Sequence, residues 1–109
     1  MQALKKRKDF QNVFEKGKWI TRFNSPIRIK ALKAENLRIG IVASRKVGNA
    51  VVRNRIKRQI RSIGRYLTQT SEIQGDFVLI VQPAFVSMTY HEKESRIQRM
   101  FQSFLAKQS

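Results

Sequence analysis

The apolar positions of this chain follow two periods, and the switches between them mark out its elements. Phe10, Val13 and Phe14 recur at helical spacing, Asp9 stands where a side-chain cap would open that short helix, and Gly17 ends it. A short extended piece over Trp19–Phe23 follows. After Pro26, Ile27-Arg28-Ile29-Lys30-Ala31 alternates as a half-buried strand does. A turn around Ala34-Glu35-Asn36 leads into Leu37–Ser44, where Leu37, Ile39, Ile41 and Ala43 share one face. The period then becomes helical again. From Asn49 to about Leu67, the residues Val52, Ile56, Ile60, Ile63 and Leu67 fall within about 80° of one another at about 100° per residue, a narrow apolar stripe. Gly75-Asp76 introduces Phe77-Val78-Leu79-Ile80-Val81, a continuous apolar run suited to an inner strand and closed by Pro83. Thr89 and Glu92 make a capping box for a last helix, whose stripe is Ile97, Met100, Phe101, Phe104 and Leu105. The predicted order is α-β-β-β-α-β-α, an α+β fold in the form of an α/β sandwich, as one small domain over residues 1–109.

The long central helix is unusual on its outside. The 21 residues from Arg45 to Arg65 carry eight positive charges and no negative one. Asn54, Arg58, Arg61 and Arg65 crowd the side opposite the apolar stripe, with Arg53, Arg55 and Lys57 on the flanks. Like charges at i,i+3 and i,i+4 cost a few tenths of a kcal/mol each. Arg58 with Arg61, and Arg61 with Arg65, incur that cost with no nearby carboxylate. A charge run is often only a solvated face, but the whole chain argues against that here. Lys and Arg number 23 against seven Asp and Glu, a net charge of +16 in 109 residues, and no acid occurs between Glu35 and Glu72. Solubility needs far less, so the excess implies an anionic partner. Nucleic acid fits better than a membrane surface, because the stripe is β-branched and docked rather than the Trp/Phe/Leu face of an interfacial helix.

With no cysteine there is no disulfide framework and no thiolate metal site. Lys5-Lys6-Arg7-Lys8 is followed by no apolar stretch, so it does not read as a signal peptide, and no run approaches membrane-spanning length. A cytoplasmic protein is the expectation. Nor is there a visible catalytic site. The acids Asp9, Glu15, Glu35, Glu72, Asp76, Glu92 and Glu94 are scattered, with no cluster to hold Mg²⁺. The one histidine, His91, falls in the first turn of the last helix, and with no Cys the usual metal-ligand spacings cannot be built. Gly40 and Gly48 fit neither a phosphate loop nor a dinucleotide fingerprint. No catalytic residue, metal ligand or cofactor is expected on the polypeptide itself.

Ser44-Arg45-Lys46-Val47-Gly48-Asn49-Ala50-Val51-Val52-Arg53-Asn54-Arg55-Ile56-Lys57-Arg58-Gln59-Ile60-Arg61 resembles the signature of the bacterial ribonuclease P protein subunit, with its Arg-Asn-Arg motif on a helix. The resemblance extends over nearly the whole chain. Asp9-Phe10-Gln11 through Val13-Phe14 and Gly17 looks like the family's first helix, and the Gly75-Asp76 strand and Thr89-Tyr90 helix start fall where the family has them. Arg45-Lys46 stands where many members carry two lysines, and the basic arm ahead of Lys5 is short.

The resemblance implies a ribosomal-protein-like fold with a left-handed β-α-β crossover, a hand that general rules would not supply. It also implies a division of labour that suits the missing active site. A large RNA subunit, using Mg²⁺, hydrolyses the phosphodiester at the 5′ end of precursor tRNA. The small basic protein binds that RNA and holds the substrate's 5′ leader. Arg53, Asn54, Arg55, Lys57, Arg58, Arg61 and Arg65 would then contact the catalytic RNA. Gly48 and Asn49 would place a phosphate at the helix start, or Asn49 would be a plain cap; both can hold at once. Lys8, Phe10, Phe14, Arg45 and Lys46 would line the leader cleft, with the aromatic rings stacking on bases of any sequence. By spacing alone Phe10 and Phe14, at i,i+4 on a short helix, read as ordinary core residues, and Arg28, Lys30 and Arg38 would contribute to the cleft if they face the same side. Val51 lies well outside the apolar stripe, without a sequence-level explanation.

Two other readings fit the basicity: a structural rRNA-binding protein, and a DNA-binding module. The second is the poorer match, since Asn54 and Gln59 are the only base-reading amides on a broadly cationic face. The partners expected are RNA, with neither DNA nor a membrane.

Overall fold

The structure is a computed structural model that describes residues 2–21, 24–70 and 72–108. The element order is β1 (Gln2–Ala3), α1 (Arg7–Lys16), β2 (Lys18–Trp19), β3 (Ile27–Leu32), β4 (Leu37–Val42), α2 (Ala50–Thr70), β5 (Gly75–Val81), α3 (Pro83–Val86) and α4 (Tyr90–Gln108). The five strands form one sheet in the order β1-β4-β5-β3-β2. β5 is the inner strand, parallel to β4 and antiparallel to β3, as its unbroken apolar run requires. The β4-α2-β5 segment is thus a crossover between neighbouring parallel strands.

Alternation along the strands divides the residues between two faces. Ile27, Ile29 and Ala31 of β3, Leu37 and Ile39 of β4, and Phe77, Leu79 and Val81 of β5 turn to one side. There they meet Ile56, Ile60, Ile63 and Leu67 of α2, Phe85 of α3, and Ile97, Met100 and Phe101 of α4. The Phe77 ring takes edge-on contacts from Phe101 at 4.7 Å and Phe104 at 5.1 Å between centroids. On the other side lies a smaller cluster of Leu4, Val13 and Val78, flanked by Phe10, Leu32, Val42 and Ile80. The molecule has three layers: α1, the sheet, and α2 with α4.

The last-helix capping box forms as its residues suggest: the Glu92 N–H donates to Thr89 Oγ1 and the Thr89 N–H to Glu92 Oε1. The Thr89 backbone N–H, and then the Thr89 hydroxyl, hold the Glu92 carboxyl below the usual carboxylate range. Asp9 corrects its expectation. α1 starts at Arg7 after Lys6, which makes no side-chain cap bond, and Asp9 instead pairs with Arg38. The extended piece is confined to Lys18–Trp19, with Arg22 and Phe23 outside the described residues. Two elements carry no sequence pattern. β1 adds two residues parallel to β4, and α3 is one turn opened by Pro83 that buries Phe85.

Candidate nucleic-acid interface

The start of α2 is built by its sequence. Val47 is buried, which leaves Arg45 and Lys46 exposed in the turn that leaves β4. Gly48 has φ +154°, and a Cβ there would stand 2.9 Å from Val52 Cγ1, so only glycine turns the chain into the helix at this point. Asn49 Oδ1 accepts the Val52 N–H at 3.0 Å, the plain cap expected of it.

Beyond this turn α2 presents two different sides. Toward α4, Gln59 Oε1 accepts a hydrogen bond from Lys93 Nζ at 2.9 Å, and Tyr90 Oη donates to Ser62 Oγ at 3.2 Å. Gln59 is thereby spent inside the helix seam. Away from the sheet, Val51, Asn54, Lys57, Arg58 and Arg61 line a shallow open depression, and Arg65 is exposed along the same face. Arg55 is exposed on the α4 side, whereas Arg53 is half-buried on the opposite flank. Among the described residues no basic group of α2 pairs with a carboxylate. Val51 is 74% exposed within this surface.

Arg38 behaves otherwise. Its Nε and Nη2 reach Asp76 Oδ1 and Oδ2 at 2.8 and 2.7 Å, and its Nη1 lies 3.5 Å from Asp9. Asp76 is 3% exposed. The hydrogen bonds to Asp76 raise the Arg38 pKa above the ordinary arginine value. Arg38 lies on the sheet face that α1 covers, and its donors are committed to tying α1 to β4 and β5.

α1 packs on this face. Phe10 lies over Gly40, where a Cβ would come within 2.6 Å of Cε1 and Cζ of its ring, so the missing side chain lets the helix sit down on β4. Phe10 is half-buried in the small cluster; Phe14 is 37% exposed, and its carbonyl accepts a hydrogen bond from Lys30 Nζ. Beside them Val42 and Ile80 are half-buried, and Arg28 and Lys30 alternate onto the same face. The face on which the resemblance expects the leader cleft thus joins the Phe10 and Phe14 rings of α1, half-buried apolar residues of β4 and β5, and cations of β3. Lys8 is exposed on α1, and Arg45 and Lys46 follow the end of β4. No group of three or more His, Cys, Asp or Glu placed to hold a metal occurs among the described residues. Sequence reasoning did not include Trp19 among the functional residues, although it sits at this face's edge.

A family model described as Ribonuclease P matches residues 1–105. The chain belongs to the ribonuclease P protein family. It is 41% identical to the ribonuclease P protein components of Bacillus cereus and Bacillus anthracis over 101 residues, which are 90% of this chain and 86% and 83% of theirs. The RNase P protein of Staphylococcus aureus superposes with a TM-score of 0.79 at 28% identity, covering 94% of each chain. That of Thermotoga maritima gives 0.80 at 25%, covering 93% of this chain and 96% of its own. Membership makes this chain the protein component of an endoribonuclease with an RNA partner, and sets aside the rRNA-binding alternative.

Proposed function

We propose that this ribonuclease P protein binds the catalytic RNA through the outer face of α2 and holds the 5′ leader of precursor tRNA in the cleft between α1 and the sheet. The RNA subunit, with its own Mg²⁺, hydrolyses the phosphodiester that releases the leader; the protein supplies position and positive charge. Arg58, Arg61 and Arg65, with Arg53, Arg55 and Lys57 on the flanks, offset phosphate repulsion, and Asn54 is placed to bond a base edge, a 2′-hydroxyl or a backbone group. Arg45 and Lys46, at the end of β4, take phosphates where the cleft approaches α2, and the Gly48–Asn49 turn offers the helix start to another. Lys8 adds a cation on α1. The protein works in the cytoplasm with the tRNA it processes; no helix among the described residues is long and apolar enough to cross a membrane.

The exposed ring of Phe14 carries the leader reading. A core phenylalanine would be covered, whereas this one offers a stacking surface beside cations. Phe14→Ala should spare holoenzyme assembly, leave mature tRNA binding unchanged and weaken binding of precursors with a leader of several nucleotides. If Phe14 were core, its loss would cost about 3–5 kcal/mol of stability and weaken every RNA interaction together. Melting temperature, measured beside affinity for leader-bearing and leaderless tRNA, separates the two.

A further inference from the structure

Trp19 lies in β2 directly opposite Lys30 of β3, so its ring shares the face on which α1 and the cleft lie. The residue is 40% exposed. The Arg28 guanidinium carbon stands 4.1 Å from the ring centroid and Lys30 Nζ 5.2 Å from it. Lys30 Nζ is also 6.0 Å from the Phe14 ring and donates to the Phe14 carbonyl. Lys30 therefore stands between two exposed aromatic rings, and no carboxylate pairs with it among the described residues.

Cation–π packing accounts for how the ring is seated. It does not account for a large aromatic surface left in solvent on a two-residue edge strand, where a charged side chain would guard the edge at less cost. An aromatic face beside cations that can reach phosphates is the general chemistry of single-strand recognition. We infer that Trp19, with Arg28 and Lys30, forms a second base-stacking subsite for single-stranded RNA, continuing the cleft beyond Phe14 to the sheet edge. The inference rests on the leader reading above. In the strand order β4-β5-β3-β2, Trp19 lies three strand spacings, about 14 Å, across the sheet from β4, where its register row meets Gly40, five residues before Arg45. Leader nucleotides near the Arg45-Lys46 turn do not reach it, and a longer leader does.

Trp19 is the chain's one tryptophan, so its fluorescence reports on this site alone. In holoenzyme reconstituted with a bacterial ribonuclease P RNA, precursor tRNA with a long leader should quench it. Mature tRNA and a precursor whose leader is a nucleotide or two should not. Trp19→Ala should weaken binding of the long-leader precursor roughly five- to tenfold, at the lower end of base-stacking effects, and leave the short-leader precursor and mature tRNA unchanged. Trp19→Phe, which keeps a ring, should restore most of the loss. Equal affinity of Trp19→Ala and the original protein for long leaders would overturn the inference, and so would a loss that extends to mature tRNA. Phe14→Ala distinguishes the two levels. If the cleft does not hold the leader, neither variant shows leader dependence; if only the Trp19 subsite is wrong, Phe14→Ala still does.

Discussion

Replacing Arg58 and Arg61 together by alanine tests the outer face of α2 most directly. The two residues are three apart, about 4.5 Å along the helix axis, so their guanidinium groups can meet separate phosphates. Both are exposed beside the same depression and neither has a carboxylate partner, so their removal breaks no ion pair within the described protein. Each phosphate contact lowers the slope of log K against log salt by about 0.9, so the double variant should lose about 1.8 units of slope. Between about 50 and 200 mM salt, that difference changes the affinity gap between original and variant by roughly tenfold, with the gap widest at low salt. Binding of labelled catalytic RNA across a salt series gives both slopes, and the change should be the same whether or not a precursor is present. An unchanged slope in a variant with an unchanged melting temperature would refute the assignment of these arginines to phosphates.

Two further outcomes follow from the interior. Asp76→Asn removes the charge that Arg38 grips at 2.7–2.8 Å. Breaking a buried pair costs about 3–5 kcal/mol, reduced here to about 1–3 because the Arg38 side chain is 32% exposed and keeps Asp9; thermal unfolding should show a Tm fall of about 4–12 °C. An unmoved Tm would show that the Arg38–Asp76 pair between β4 and β5 contributes nothing. Lys93 is 4% exposed, and burial, then the neighbouring Arg55 charge, pushes its pKa below the ordinary lysine range. In the window between the lowered folded value and the ordinary unfolded one, the unfolded chain binds more protons, so folding stability rises with pH there. Denaturant melts across that window should show the rise in the original chain and a smaller one in Lys93→Met; identical pH profiles would remove Lys93 as its source.

Much of this architecture was legible because strong patterns have strong physical causes. The α2 stripe, the T-x-x-E box and the unbroken Phe77–Val81 run each had one cheap way to be satisfied, and each was. Asp9 was misread because a carboxylate near a helix start has two uses. The cap at Lys6 uses none, and Arg38, 29 residues away in sequence, offered the better partner. β1 and α3 are too short to show a period, and both exist through tertiary contacts with β4 and the main core. The candidate site divided the same way. The outer face of α2 follows from helical geometry alone, whereas the Trp19–Lys30 juxtaposition depends on strand register, and the burial of Lys93 against Gln59 on how two helices meet.

Under the proposed function the sheet also works as a partition between two selective pressures. On its α2 side the protein would have to match one RNA molecule, so changes there would be acceptable only in step with that RNA. On its α1 side it would have to tolerate whatever leaders a genome's tRNA transcripts happen to carry. Because the strands alternate, neighbouring residues in β3 answer to different constraints: Ile27 and Ile29 to the core beneath α2 and α4, Arg28 and Lys30 to the open cleft. On that proposal, substrate range could drift, or be engineered, at every second residue of a strand without disturbing the surface assigned to the catalytic RNA.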